Sequence, residues 1–273
     1  MPGSAIRIAV PLAVILATVL FFFAKETNTL STTLSQPALL SDQQLRTLAR
    51  QKVFFGHQSV GENIIQGIRE VMASDPQLKL NIVESRNPET VSGPAFVEAH
   101  VGQNTDPQSK NADFLKIVNQ GFAGIAMLKY CYIDIGETTD VPRMFAAYQE
   151  TINEIRRNHP GVRIVHVTVP LTTVGSPAKA WVKSMLGRNT AQDDNIKRNR
   201  FNFLLVQAYG NEPIFDLAAV ESTHADGSRS YFTSGNEKIY TLAPEYTDDG
   251  GHLNKAGRRA AAERLLQVLA SLQ

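Results

Sequence analysis

Over much of its length this sequence passes repeatedly from a short apolar run into a longer segment whose apolar residues recur at helical spacing. That alternation restricts the possible folds more than any other feature. Residues 52–55 (KVFF) lead into Ile64, Ile65, Ile68, Val71 and Met72, with Glu62, Gln66 and Glu70 between them, the pattern of a strand followed by an amphipathic helix. Further strand-like runs stand at 78–83, 124–128 (GIAML), 163–169 (RIVHVTV) and 213–217 (PIFDL), each short and mostly apolar as buried parallel strands are. Helical segments fall at about 113–119, 142–158, 195–209 and 254–272. The second of these is opened by Pro142, and the third is closed by Gly210. The last carries Leu265, Leu266, Leu269 and Leu272 on its buried side. Such alternation predicts a parallel five-stranded sheet covered by helices on both faces.

With 273 residues, 43% hydrophobic and 19% charged, the chain can bury one large core and does not require two. Residues 1–26 form a candidate signal-anchor or signal peptide: residues 8–24 run IAVPLAVILATVLFFFA without a charge, after Arg7 and before Lys25 and Glu26. Phe22 stands where a cleavage site wants a small side chain, which favours retention as a membrane anchor. Arg7 favours a body outside the cytoplasm, periplasmic or extracellular, and secreted if the leader is cut. Residues 27–40 read as a polar linker, and the domain occupies 41–273. It is introduced by Ser41-Asp42-Gln43-Gln44, a capping box for a helix extending through Gln51. The net charge of +1 is not gathered in a stripe, so no nucleic-acid partner is expected. The single cysteine, Cys131, excludes an internal disulfide and a cysteine-only metal cage.

In parallel α/β sheets ligands bind beyond the carboxyl ends of the strands, so the segments after each strand are the ones to inspect. Ser59 follows the first strand and opens a helix, where free amides favour developing negative charge. It fits a nucleophile, and by itself it reads more simply as a plain helix cap. Late in the chain, Asp249-Gly250-Gly251-His252 places an acid three residues before an imidazole in a glycine-rich turn. The carboxylate can then fix the histidine tautomer toward a nucleophile, with Asp248 as an alternative orienter. A solvated surface loop is the other reading of that turn.

The two segments together resemble the SGNH (GDSL-type) hydrolases, in which a serine after the first strand pairs with a late Asp-x-x-His. Asp249-Gly250-Gly251-His252-Leu253-Asn254, followed by Gly257 and a terminal helix, looks like that family's last block. Gly56-His57-Gln58-Ser59 is similar to its first block, with Gln58 where Asp is usual. The resemblance implies a flavodoxin-like three-layer fold and a Ser59–His252–Asp249 triad. It also implies hydrolysis of acyl or acetyl esters on carbohydrates, lipids or small molecules, without a cofactor. A further implication is an oxyanion hole of three donors: the serine amide, a glycine amide carried over to Gly102, and an asparagine side chain. At the asparagine's place the chain reads Lys129-Tyr130-Cys131-Tyr132, and a thiol is a poor donor.

Asn104, or Lys129 at the mouth of the site, is the expected substitute. Lys129 as a snorkelling surface residue and Cys131 as a buried apolar residue are the plainer readings. His57 fits a substrate contact, a relay member or a loop residue held by the backbone. No metal is expected, because His57, Asp248, Asp249 and His252 come from distant segments without a tight ligand spacing. Three functions remain open on these residues: an esterase, an O-acyltransferase using the same residues, and a binding domain that has lost catalysis. Trp181, in the loop at 172–194, is a candidate stacking platform for substrate or a packing residue.

Overall fold

The computed structural model describes residues 40–175 and 190–272. The apolar run at 8–24, the polar stretch after it, and most of the loop at 172–194 with Trp181 lie outside the described residues. Among the described residues no helix is long and apolar enough to cross a membrane.

In chain order the elements are α1 (Asp42–Leu48), β1 (Lys52–His57), α2 (Val60–Ser74), β2 (Ile82–Glu84), β3 (Ala95–His100), α3 (Pro107–Val118), β4 (Ile125–Leu128), α4 (Val141–Asn158), β5 (Arg163–Ile164), β6 (His166–Val167), α5 (Ala191–Tyr209), β7 (Ile214–Phe215), α6 (Leu217–Ser222), β8 (Tyr231–Ser234), β9 (Glu237–Tyr240) and α7 (Lys255–Ala270). Five strands form one sheet in the order β2-β3-β1-β4-β5, every pair parallel. Residues 163–167 serve two neighbours in turn, since β5 pairs with β4 and β6 pairs with β7. The predicted fifth strand therefore extends the edge through β6.

Period-two alternation in β1 divides the interior in two. Val53 and Phe55 join Phe96, Met127, Ile64, Ile68, Leu265 and Leu269 in one core, under α2 and α7. Phe54 joins Val97, Ala126, Leu128, Phe114, Ile152 and Phe201 in the other, under α3, α4 and α5. Both faces of the sheet are thus covered, as the alternation predicts.

The capping box forms as expected, with Ser41 Oγ accepting from the Gln44 amide and Gln44 Oε1 from the Ser41 amide, although the helix ends at Leu48 and not at Gln51. Strand β3 departs from expectation. Ala95–His100 (AFVEAH) has an apolar run that stops at Val97 and is followed by Glu98 and His100, yet the whole segment pairs with β1, with Glu98 buried against His57. The hairpin β8–β9 is also unpredicted, although Ser234 pairs with Glu237 across Gly235-Asn236, a two-residue turn of a type the sequence can signal. Helix α3 starts at Pro107, six residues before the expected Asp113, with Asp106 accepting from the Ser109 amide as its cap.

Helices α2 and α7 approach closely at Gly67, where a Cβ would lie 2.3 Å from the Arg258 carbonyl oxygen. Alanine raises intrinsic helix propensity, but here it must push two helices apart, so Gly67→Ala is expected to cost about 1–3 kcal/mol. The measurement is the urea midpoint at unchanged m-value, and an alanine variant as stable as the parent would contradict the close crossing.

Candidate active site

Three loops meet at the carboxyl end of the sheet, because β1 lies between β3 and β4 and each ends in a turn at that edge. Ser59 stands just after β1 with φ 49° and ψ −100°, a left-handed conformation costly for a residue with a Cβ. Its side chain makes no capping bond to α2. The hydroxyl lies instead 2.6 Å from His252 Nε2. The Gln58 peptide that leads into it is held from both sides. Gln58 Nε2 donates to the carbonyls of Val101 and Gly102 (3.2 and 2.8 Å), and Gln58 O accepts from the Gly61 amide and from Lys129 Nζ (2.9 and 2.8 Å). Among the described residues the Ser59 N–H meets no acceptor.

His252 comes from a turn folded around Asp249. Asp249 Oδ1 accepts from the amides of Gly251 and His252 (2.9 and 2.8 Å), which leaves Oδ2 on His252 Nδ1 at 2.7 Å. Gly250 supplies the turn with a φ of 91°. The bond to the imidazole, followed by those amides, holds the Asp249 carboxyl well below the usual carboxylate range. An ionised Asp249 requires the proton on Nδ1, so Nε2 is left to accept from the Ser59 hydroxyl. Asp248 does not compete for the imidazole, since its nearest polar contact is Asn254 Nδ2 at 3.4 Å. Asn63, on the helix that Ser59 opens, accepts from the Leu253 amide at 3.0 Å and so ties the histidine turn to the serine helix. A lone asparagine inside a helical pattern gives no sequence signal of that role. The Tyr132 ring packs edge-on to His252, with centroids 5.7 Å apart. Nearly half of the His252 side chain and more than half of that of Asp249 remain exposed.

The remaining candidates are placed differently. The Gly102 amide, expected as an oxyanion donor, already donates to Asp113 Oδ2 at 2.8 Å. That carboxyl is held below its ordinary range by hydrogen bonds from Arg86 and this same amide, which overcome the burial that pushes it up. Asn104 is exposed, and its Oδ1 accepts from Lys110 Nζ at 3.0 Å, an orientation that turns Nδ2 away from that cation. Lys110 is buried and also meets Asp134, which accepts in addition from the amides of Thr105 and Cys131. The loop after β3 is thereby joined to the loop after β4.

Lys129 does not stand at the mouth of the site, nor does it snorkel. It is wholly buried, because the β4 register places it among side chains beneath the Gln58 carbonyl. Cys131 is buried beside it, with Sγ 3.6 Å from the amine. His57 likewise points inward. It is wholly buried on the α2 face and meets Glu98 Oε2 at 3.1 Å, and desolvation pushes its pKa down.

His57, Asp248, Asp249 and His252 therefore do not converge as metal ligands, since His57 faces Glu98, Asp248 meets Asn254, and Asp249 meets His252, which turns its other nitrogen to Ser59. A different set, His57, Glu62 and Glu98, brings one ligand atom each to within 4.8 Å of the others. The Arg69 guanidinium lies 3.7 Å from Glu98 and 3.8 Å from Glu62, so a cation of the chain itself already faces both carboxylates.

No family model matches this sequence, and no curated protein matches it. Solved structures do resemble the fold at a distance. A protein described as an acylhydrolase from Bacteroides fragilis is 16% identical with a TM-score of 0.49, over 86% of this chain and 97% of that one. A carbohydrate esterase family 3 protein from Talaromyces cellulolyticus is 15% identical with a TM-score of 0.46, over 81% and 98% of the two chains. A member of the lipolytic protein G-D-S-L family from Veillonella parvula is 13% identical with a TM-score of 0.45, over 81% and 98%.

Proposed function

We propose that this chain is a divergent serine ester hydrolase of the SGNH type, acting on acyl or acetyl esters of carbohydrates, lipids or small molecules. The observation that carries the reading is the unbroken line from Ser59 Oγ to His252 Nε2 (2.6 Å) and from His252 Nδ1 to Asp249 Oδ2 (2.7 Å). Ser59 attacks the ester carbonyl while His252 takes its proton and then returns it to the leaving alcohol. Water activated by the same imidazole releases the acyl group, and Asp249 stays ionised throughout. The Ser59 N–H, which no acceptor among the described residues claims, is the group offered to the oxyanion, and Asn104 is the candidate for a second donor.

The exposure of His252 leaves room for an acceptor larger than water, and a sugar hydroxyl in that place makes the same residues an O-acyltransferase. The apolar run at 8–24 supports a body tethered outside the cytoplasm, where esters of envelope glycans and lipids are the available substrates.

The test is to treat the purified protein with a fluorophosphonate probe and an aryl acetate. Label is expected on the peptide containing Ser59, with label and turnover both lost in Ser59→Ala. Turnover that persists in Ser59→Ala would sink the reading, and absence of both from the parent protein would favour a non-catalytic binding domain.

A further inference from the structure

Lys129 is a wholly buried amine that makes no ion pair among the described residues, with Asp134 and Glu221 acting on it only from a distance, and such a residue needs an explanation. Its Nζ donates to Gln58 O at 2.8 Å, while its own amide donates to Gly56 O at 3.0 Å, so it is fastened beneath the end of β1. Gln58 O is one end of a peptide group, and the Ser59 N–H is the other. Both acceptor positions of that carbonyl are taken, one by Lys129 and one by the Gly61 amide at 2.9 Å.

A donor on a peptide carbonyl draws electron density from the amide nitrogen and strengthens its N–H as a donor. The effect is larger in a buried, low-dielectric setting. The peptide is also the one that must hold Ser59 at a φ of 49°. Cys131, 3.6 Å from Nζ and 3.7 Å from Gln58 O, is too weak a partner to divert the amine.

We propose that Lys129 is a positioning residue for the reaction. It fixes and polarises the Gln58–Ser59 peptide so that the Ser59 N–H becomes a stronger oxyanion donor, in a site where the glycine amide is spent on Asp113 and a thiol stands in place of an asparagine. The proposal rests on the hydrolase reading above. It adds a residue that never touches substrate, and it explains why an amine is placed under the serine peptide. Burial lowers the pKa of Lys129, and a neutral amine would still donate to the same carbonyl.

Two readouts keep this proposal separate from the hydrolase reading. The first needs no activity: the ¹⁵N chemical shift of Ser59 reports hydrogen bonding to the preceding carbonyl, and it is expected to move upfield in Lys129→Met. An unmoved Ser59 shift overturns the proposal whatever the activity. The second compares kcat for an oxoester with that for the matching thionoester, whose sulfur accepts hydrogen bonds poorly.

Because the Ser59 N–H is weakened and not removed, Lys129→Met is expected to lower oxoester kcat by on the order of tenfold, less than loss of a whole oxyanion donor. KM should stay within about twofold, since the interaction grows in the transition state. The oxoester-to-thionoester ratio should shrink with kcat. Equal losses on both esters overturn the proposal, because they mark a general disturbance of the site. If methionine prevents folding, Lys129→Leu takes its place as the variant without a donor, and Lys129→Gln, which keeps a donor in the same space, should lie nearer the parent than that apolar variant in both the shift and the ratio; a glutamine variant no nearer overturns the proposal. A Ser59 shift that moves in Lys129→Met when the parent shows no esterase turnover overturns the hydrolase reading while supporting the polarised peptide.

Discussion

Asp249→Asn should lower kcat for an aryl acetate by about 10⁴-fold while leaving the fold intact, and geometry explains both halves of that result. Asp249 Oδ1 accepts from two backbone amides, those of Gly251 and His252, and in the variant only the amide oxygen can take that place. The NH₂ group is then forced to the position of Oδ2, 2.7 Å from His252 Nδ1, where it can only donate. The imidazole must accept there and carry its proton on Nε2, the atom facing Ser59 Oγ, so it no longer serves as a base toward the hydroxyl. The turn itself keeps its bonds, and thermal unfolding should be little changed.

Asp248→Asn is the control: among the described residues Asp248 meets only Asn254 Nδ2 at 3.4 Å, and the variant should stay within about twofold of the parent by the small effect of exposed groups. Steady-state kinetics with circular-dichroism melts distinguish the cases. A folded Asp249→Asn protein retaining a tenth of the parent kcat would remove Asp249 from the triad.

Stability should fall as pH rises toward 8, and Glu221→Gln should abolish that particular loss. Glu221, in α6, is wholly buried. Its Oε2 accepts from the Leu171 amide at 2.7 Å, and among the described residues its Oε1 meets no donor, so one oxygen of an ionised carboxylate would be left without a hydrogen bond. Burial pushes its pKa from 4.5 up to about 8, against the opposing pull of the Leu171 amide, Lys129 and Arg198. Between those values the folded state holds a proton that the unfolded chain has lost, so stability declines with rising pH across that window and levels off above it. At about 1.4 kcal/mol per unit the total is several kcal/mol.

His166 opposes this trend. Burial lowers its pKa from 6.5 to about 4, so the unfolded chain binds the proton first and stability falls on acidification through that interval. The measured quantity is therefore the difference between Glu221→Gln and the parent in urea melts at pH 5, 7 and 9. The variant is neutral throughout, and its advantage should grow with pH. A constant difference would show that Glu221 is ionised in the fold at every pH tested. The same carboxyl supports the site at one remove, since the segment after Leu171 carries Thr173, whose amide donates to the carbonyl of Gly250 at 2.9 Å.

The strand-helix rhythm and the terminal helix follow from local patterning alone, because each depends on which side chains recur along a few residues. The same is true of the Asp249–His252 contact, which spans three positions in one turn. Strand β3 escaped that logic. Its Glu98 is acceptable in a buried strand only because His57 and Arg69, distant in sequence, stand against it.

What the chain order determined about this protein, then, is an alternating α/β architecture and a serine, an aspartate and a histidine in suggestive turns. Only the tertiary structure decided that the Ser59 hydroxyl faces His252 and not its own helix, that the Gly102 amide is committed to Asp113, and that Lys129 lies under the serine peptide and not at the cleft. The reason is physical: a hydrogen bond is chosen among all partners within about 3 Å, and those partners come from segments that only folding brings together.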